Sequence, residues 1–380
     1  MGEKLGKVNV CLVLGARPQI IKSMPLIRLL HEDKQLKSSV IHTGQHYDYE
    51  MTQVFFKEFS LPEPTVNLEV GSGSHAQQTA KIMIRLEPVL LEQKPDLVLV
   101  PGDTNSTLAG ALTAAKLGIP VAHIEAGARS YDSKMPEEIN RRLTDHCSAL
   151  LFTATEACSR NLLKEGISKD IVHLVGDTMY DVIKQQLPKA QETGILDRLN
   201  VKAKAYALLT LHRQENVDNP ENLKRIVAAI VRLKKLEIVF PVHPRTRKQL
   251  NSFSLYGKLK EQKHVKLIEP VSYLENVNLI KNASLVMTDS GGVQKEAFWL
   301  KTACVTLREN TEWMETVQLG ANYLVGSSTE RIVQTAEEMM KNQEALRKKF
   351  GKLPNPFGDG SASQKILGKI KNLPLGSVNS

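Results

Sequence analysis

The chain is short of several things, and each shortage closes off a class of function. Its 380 residues contain four cysteines, Cys11, Cys147, Cys158 and Cys304. None stands in a C-x-x-C pair or at a zinc-like spacing from histidine. They read as small core residues of a reducing compartment, and no metal site is expected. Aromatic residues make up 5% of the chain, and no basic run is interleaved with them. The net charge of +9 suggests an acidic partner, whether nucleic acid, an anionic surface or a phosphorylated small molecule, and without stacking rings nucleic acid is not expected. No apolar run reaches the roughly 18 residues that span a bilayer. The N-terminus lacks the small-residue cleavage site of a signal peptide, so a cytoplasmic protein with no membrane partner is expected. G-x-x-x-x-G-K-[ST] is missing, which argues against triphosphate hydrolysis. G-x-G-x-x-G is missing after the first strand, which argues against a dinucleotide redox cofactor.

What is present is an alternation of short β-branched runs with longer amphipathic segments, the pattern of an α/β protein. Strands are expected at Val8–Leu14, Ser38–His42, Leu97–Val100, Val121–Glu125 and Leu150–Thr153. Helical spacing follows at Ile20–Leu30, Thr107–Leu117 and Ile139–His146. The scheme restarts with Ala205–Leu211, Ile238–Val242, Val265–Ile268, Leu285–Thr288 and Ala303–Leu307. Near-continuous apolar strands imply parallel sheets covered on both faces. The length favours two domains. The expected division is residues 1–180, completed by a C-terminal helix at about 361–380, and residues 181–360. The breaker Leu353-Pro-Asn-Pro-Phe-Gly-Asp-Gly360 precedes that last helix.

Polar residues gather at the strand ends, where ligands of open α/β sheets bind. Arg17 and Lys22 follow the first strand, Asp103 the third, and Glu125 closes the fourth. Glu137 and Arg141 open a helix, and His212, His243 and Arg308 follow strands of the second half. Taken singly, several have plain structural readings. Arg17-Pro18 could start a helix, Asp103 could cap one, and Glu137 with Arg141 could be an i,i+4 surface pair. Glu125 is harder to explain so, because the strand it closes is buried on both faces.

In Thr288-Asp-Ser-Gly-Gly292, Ser290 is placed to cap a helix whose first turn holds Gly291 and Gly292. Free N–H groups with the helix dipole behind them make an anion site, and missing side chains let a phosphate approach. Glu296, about a turn further on, is placed to accept hydrogen bonds from a ribose. A merely well-capped helix explains the serine but not both glycines. A nucleoside diphosphate attached to another group is the ligand this pattern suggests.

The ordered motifs GARPQIIK, HTGQHYD, PGDTNSTLAG, HIEAGARS, MPEEINR, LHRQENVDNPENL, PVHPR, TDSGGVQKEA, LRENTEW and NPFGDG resemble those of the UDP-N-acetylglucosamine 2-epimerases from about Val8 to about Gly360. The resemblance implies the GT-B architecture, two Rossmann-like domains with the UDP-sugar in a cleft between them. It also implies interconversion of UDP-GlcNAc and UDP-ManNAc without a cofactor, by elimination of UDP to 2-acetamidoglucal, reprotonation at C2 and re-addition. By the same resemblance Asp103, Glu125 and Glu137 are the acid/base carboxylates, with Arg141 beside them. Arg17 and His212 contact the diphosphate, with Lys22 nearby. Ser290, Gly291 and Gly292 hold phosphate and Glu296 the ribose, while His243 and Arg308 join the substrate site. Which carboxylate serves which face of C2 stays open. A homodimer acting on a small-molecule UDP-sugar is the expected form.

The chain departs from the family pattern in places. Where members often read GTRPEAIK, it has Ala16 and Gln19. Where TERPE is common it has Thr311-Glu-Trp313, which removes a cation at Trp313. Gln45 and His46 match the segment that binds an activating second UDP-GlcNAc in bacterial members, but Lys81 stands in place of an arginine, so weak or absent activation is expected. The GARPQ and TEW variants also occur in relatives acting on UDP-2,3-diacetamido sugar acids, whose carboxylate Arg245 or Arg247 could meet. A GT-B glycosyltransferase or a sugar-nucleotide-binding regulator are remoter readings, since neither needs a trio of carboxylates.

Overall fold

The computed structural model describes residues 7–45, 56 and 59–373. The first sheet has seven parallel strands in the order β3-β2-β1-β4-β5-β6-β7. These are β1 Val8–Leu14, β2 Leu36–His42, β3 Val66–Asn67, β4 Leu97–Pro101, β5 Val121–Ala126, β6 Leu150–Thr153 and β7 Val172–Leu174. The second has six parallel strands in the order β10-β9-β8-β11-β12-β13. These are β8 Tyr206–Thr210, β9 Glu237–Pro241, β10 Val265–Ile268, β11 Leu285–Thr288, β12 Ala303–Thr306 and β13 Asn322–Leu324. Both are doubly wound Rossmann-like sheets. In each the strand order reverses once, between β1 and β4 and again between β8 and β11, and ligands of such sheets bind at that switch point.

The central strands are apolar because helices cover both their faces. β4 is buried throughout, and β1 is buried at all but one position. In the first sheet Cys11, Val13, Ile41, Val98 and Val100 pack with Ile82, Leu86 and Leu90 of the helix His75–Gln93 and with Ala109, Ala111 and Ala114 of the helix Asn105–Lys116. Each fully buried aliphatic side chain contributes about 1.5–3 kcal/mol. The alanines and Gly110 let the second of these helices lie close to the sheet. A Cβ on Gly110 would come within 3.0 Å of Val100 Cγ1 and 3.2 Å of Val13 Cγ1. That close seat carries the helix N-terminus, just after Asp103, to the edge of β4.

The chain forms two compact units. One joins the described residues up to Val182 with those from Pro356 onward, and the other is Ile183–Asn355. The change of unit falls inside the helix Thr178–Gln191. After an irregular stretch, the helix Ala362–Lys371 returns to pack on Arg17–Glu32 of the first unit. Asp181 fixes that return by accepting the backbone N–H groups of Ala362 at 3.0 Å and Ser363 at 2.7 Å.

Candidate active site

In the first unit, the loops after β1, β4 and β5 are tied together by buried side chains. Gln19 accepts the N–H groups of Gly15 at 2.9 Å and Ala16 at 3.0 Å, and donates to Pro101 O at 2.8 Å and Thr107 Oγ1 at 3.0 Å. The ends of β1 and β4 are thus joined through one amide. Gly15 leaves room for this junction, since a Cβ there would lie 1.9 Å from Thr43 Oγ1 and 2.2 Å from Ser106 Oγ. Arg17 begins the helix Arg17–Glu32 and is exposed, with Pro18 inside the first turn.

Asp103 does not cap the next helix. Thr104 does, its hydroxyl accepting from Thr107 N. The Asp103 carboxylate is left to meet Arg141, whose Nη2 and Nε reach Oδ2 at 2.7 and 3.1 Å. Arg141 also donates to Glu138 Oε2 at 3.0 Å. Glu138 is buried and accepts from Ser130 N at 2.9 Å and Tyr131 N at 3.2 Å. Arg141 is therefore a buried cation, not one end of a surface pair. Glu137, half-buried, shares the first turn of the helix Pro136–Cys147.

Lys22 forms an ion pair with Glu125, and its Nζ lies 3.2 Å from the position of a Cβ on Gly102. One ammonium thus stands against the Glu125 carboxylate and beside the residue preceding Asp103. Glu125 itself has φ +73°, at a register shift between Ile124 and Ala126 in the β5–β6 pairing. A non-glycine residue in that region costs about 1–3 kcal/mol, and such strain concentrates at functional sites. Beneath these loops His123 Nδ1 lies 2.7 Å from Asp145 Oδ1, and Nε2 lies 2.7 Å from Gly102 O. Asp145 also meets Arg129 Nη2 at 2.7 Å and accepts Gly127 N at 3.2 Å. Burial pushes the Asp145 carboxyl up, but His123 and Arg129 outweigh it and leave it below the ordinary carboxylate range.

In the second unit, the ends of β8 and β11 carry the corresponding apparatus. Ser290 caps the helix Gly291–Trp299, with Gly291 and Gly292 in its first turn. Neither glycine has a positive φ. A Cβ on Gly292 would meet nothing nearer than Ser290 Oγ at 3.9 Å, and one on Gly291 would touch Trp313 Nε1 at 3.4 Å. The fold itself does not require glycine at position 292. Glu296 is buried on this helix. Lys295, also buried, holds its Nζ 3.7 Å from the centre of the Trp313 ring. The segment at Trp313 therefore keeps a cation beside it, supplied by the helix.

His212 and Asp289 join the two switch-point strands. Asp289 is fully buried and accepts His212 N at 3.1 Å, Arg213 N at 2.9 Å and Asn216 Nδ2 at 3.3 Å. His212 Nδ1 lies 3.3 Å from Asp289 Oδ1. Burial pulls the His212 imidazole below its ordinary value; Asp289 opposes this, and Arg213, Arg245 and Arg308 reinforce it. His243 caps the helix Pro244–Ser252 through Nδ1, and its ring centre is 5.7 Å from that of His212. Arg308 is buried, with Nε 3.2 Å from Glu215 and Nη1 3.1 Å from Glu312. Arg245 pairs with Asp218, and Arg247 with Glu269 at 2.7 Å.

Asp103, Glu125, Lys22, Arg17 and Arg141 thus belong to loops and helix starts of the first unit, with Glu137 on the same helix as Arg141. Ser290, Gly291, Gly292, Glu296, His212, His243 and Arg308 belong to the second. Sequence reasoning passed over Glu138, His123, Asp145, Lys295 and Asp289. Only Asp289 carried a signal, its place at the head of the Ser-Gly-Gly motif. His46 lies outside the described residues, and Lys81 is exposed. Burial pushes the Cys11 and Cys304 thiols up to about 12, so neither is a nucleophile at neutral pH. Among the described residues no group of three or more His, Cys, Asp or Glu side chains is placed to hold a metal ion, and no helix is long and apolar enough to cross a membrane.

The sequence matches the family described as UDP-N-acetylglucosamine 2-epimerase over residues 28–371. It is 49% identical to a UDP-N-acetylglucosamine 2-epimerase homolog of Methanococcus maripaludis, over 96% of this chain and 100% of that one. A UDP-2,3-diacetamido-2,3-dideoxy-D-glucuronate 2-epimerase of Pseudomonas aeruginosa is 41% identical, over 96% and 100%. The crystal structure of Methanocaldococcus jannaschii UDP-GlcNAc 2-epimerase in complex with UDP-GlcNAc and UDP is similar with a TM-score of 0.88 at 48% identity, covering 96% of this chain and 99% of that chain. With this match and these identities over nearly the whole chain, the chain belongs to the UDP-N-acetylglucosamine 2-epimerase family.

Proposed function

We propose that the protein interconverts UDP-GlcNAc and UDP-ManNAc, with the acid/base groups and Arg17 on the first unit and the other UDP-holding groups on the second. The observation that carries this is the meeting, beside the first sheet's switch point, of two carboxylates with cations: Asp103 with Arg141, which Glu138 shares, and Glu125 with Lys22. The C2 proton of the sugar is not next to a carbonyl and cannot be removed directly. As the C1–O bond to UDP breaks, positive charge at C1 acidifies it. A carboxylate takes that proton, 2-acetamidoglucal and UDP remain bound, and proton return to the opposite face with re-addition of UDP gives the epimer. The reaction needs a base and an acid, drawn from Asp103, Glu125 and Glu137, and cations that hold the departed diphosphate. Arg17, His212 and the Gly291–Gly292 amides serve that second need, with Arg308 and Lys295 adding positive charge and Glu296 holding the ribose. His243 adds a further ring beside His212.

The 41% identity to the diacetamido-glucuronate epimerase supports a second reading, in which the sugar carries a carboxylate. Arg245 and Arg247, the cations that would meet it, are already paired with Asp218 and Glu269, which favours the first. A soluble nucleotide-sugar substrate suits a cytoplasmic enzyme feeding surface-polysaccharide synthesis. A homodimer is the form we expect, and Ile84 and Leu91, exposed by 71% and 55% on one helix, offer it an apolar face. Incubation with UDP-GlcNAc in deuterated water, without acceptor or NAD, tests the activity. C2-deuterated UDP-GlcNAc and UDP-ManNAc should accumulate, and no exchange at C2 would rule out this substrate.

A further inference from the structure

We infer that Asp289 is the positioning carboxylate of His212, turning its ring so that Nδ1 faces Asp289 and Nε2 is left for a diphosphate, which binds together with a proton. The inference rests on the proposed UDP site and goes beyond it by assigning a proton to the binding step. Asp289 heads the motif whose glycine amides are read as the phosphate holder, while His212 ends the neighbouring strand of the switch point. Asp289 has no exposure, whereas the His212 side chain keeps 38%. The carboxylate is anchored by His212 N, Arg213 N and Asn216 Nδ2, and Asn216 is anchored in turn by donating to Leu307 O at 2.8 Å. A carboxylate held at so many points cannot turn away from the ring. With Oδ1 3.3 Å from Nδ1, the negative charge of Asp289 stands at that nitrogen and favours the neutral ring with its proton on Nδ1.

The charges around the ring decide what happens next. His212 is faced by Asp289 from β11, His243 from the end of β9, Arg213 from its own loop, Arg245 from the helix after β9, and Arg308 from the end of β12. Arg245 is balanced by Asp218, and Arg308 by Glu215 and Glu312. Burial and these cations hold the imidazole neutral when no anion is present. A neutral ring with its proton on Nδ1 offers only a lone pair at Nε2, and a lone pair repels a phosphate oxygen. A diphosphate supplies negative charge at that nitrogen, so the ring takes up a second proton and donates to phosphate from Nε2 while still facing Asp289 from Nδ1. The resulting cation stands where negative charge grows as the C1–O bond breaks. Asp289 itself does not touch the substrate.

The test is proton uptake on UDP binding, measured by titration calorimetry at pH 7.5 in buffers of different ionisation enthalpy. Phosphate second ionisations lie near about 6, so UDP itself contributes little there. The parent protein should take up a substantial fraction of one proton per UDP, and His212→Gln should take up close to none. Asp289→Asn keeps an acceptor for the backbone N–H groups, should still bind UDP, and should lose most of the uptake. A merely structural Asp289 would leave the uptake as in the parent. The nitrogen-15 spectrum of the parent's imidazoles, assigned with His212→Gln, gives a reading that needs no Asp289 variant: Nδ1 protonated without UDP, both nitrogens protonated with it. Zero uptake by the parent, equal uptake by Asp289→Asn, or an Nε2-protonated ring in the free protein would each overturn the inference. Failure of the parent to bind UDP would instead overturn the functional reading beneath it.

Discussion

Gly292→Ala separates the two explanations of the Ser-Gly-Gly helix start, because they predict opposite outcomes. The added methyl meets no protein atom nearer than Ser290 Oγ at 3.9 Å, and the backbone there is not in the left-handed region. Alanine is favoured over glycine in a helix by up to about 1 kcal/mol, so stability without ligand should be unchanged or slightly higher. A phosphate oxygen bonded to the first-turn amides must come within about 2.9 Å of nitrogen, and the methyl stands beside that approach. Loss of one hydrogen bond to a charged group costs about 1.5–3 kcal/mol, so Kd for UDP should rise from about tenfold to a little over a hundredfold. Titration calorimetry with UDP, paired with thermal unfolding of the free protein, reads both quantities. An unchanged Kd with unchanged stability would refute the phosphate reading, and a fall in Tm without UDP would show that the glycine serves the fold. Gly291→Ala is a less clean probe, since its methyl would also press on Trp313 Nε1 at 3.4 Å and Glu312 Oε2 at 3.5 Å.

Other perturbations test other parts of the structure. Gly15→Ala should behave oppositely to Gly292→Ala, because its methyl would lie 1.9 Å from Thr43 Oγ1; overpacking of this kind costs about 1–3 kcal/mol, readable as a lower urea midpoint. Asp103→Asn and Glu125→Gln should each abolish C2 exchange in deuterated water while leaving UDP affinity within about threefold, roughly 0.7 kcal/mol; exchange at the parent rate in either variant would remove that residue from the acid/base set. Asp145→Asn should destabilise at pH 7 by about 3 kcal/mol, because it breaks a buried ion pair. The folded Asp145 carboxyl is depressed, so its stabilisation is fully present above the unfolded value near about 4 and is lost as pH falls through the lower folded value. Urea unfolding of parent and variant should therefore converge at acid pH, and a gap that stays constant would contradict the Asp145 assignment.

How much of this could be read beforehand depended on where each residue's partners lie. β1, β6, β10 and β11 have the bounds expected from their apolar runs, Val8–Leu14, Leu150–Thr153, Val265–Ile268 and Leu285–Thr288. β1 and β11, buried almost throughout, write their limits into composition. Val66–Asn67, Val172–Leu174 and Asn322–Leu324 were not anticipated. They are edge strands of two or three residues, most of whose side chains are half-exposed, too short for any periodicity. The Ser-Gly-Gly start was legible because cap, glycines and helix are neighbours in sequence. Glu137 and Glu138 are neighbours too, yet only the placement of the loop at Ser130 and Tyr131 decides that Glu138 is the buried one. The partner of Asp289 lies 77 residues away, and that of Asp103 lies 38.

Gln19 shows most plainly why such pairings stay hidden. By the family pattern it is a departure, an amide where a carboxylate is common. In the folded chain it accepts two backbone N–H groups and donates to a carbonyl and a hydroxyl, so both ends of the amide are used. A carboxylate could accept the first two but, when ionised, could not donate to Pro101 O. The departure therefore suits the junction it makes, which holds the loop before Arg17 against the loop before Asp103. Three of the four atoms that give it this role are backbone groups present in any sequence, the fourth is the Thr107 hydroxyl, and the carbonyl lies 82 residues away. A side chain whose partners are so common in type and so distant along the chain acquires its meaning only when the fold brings them to it.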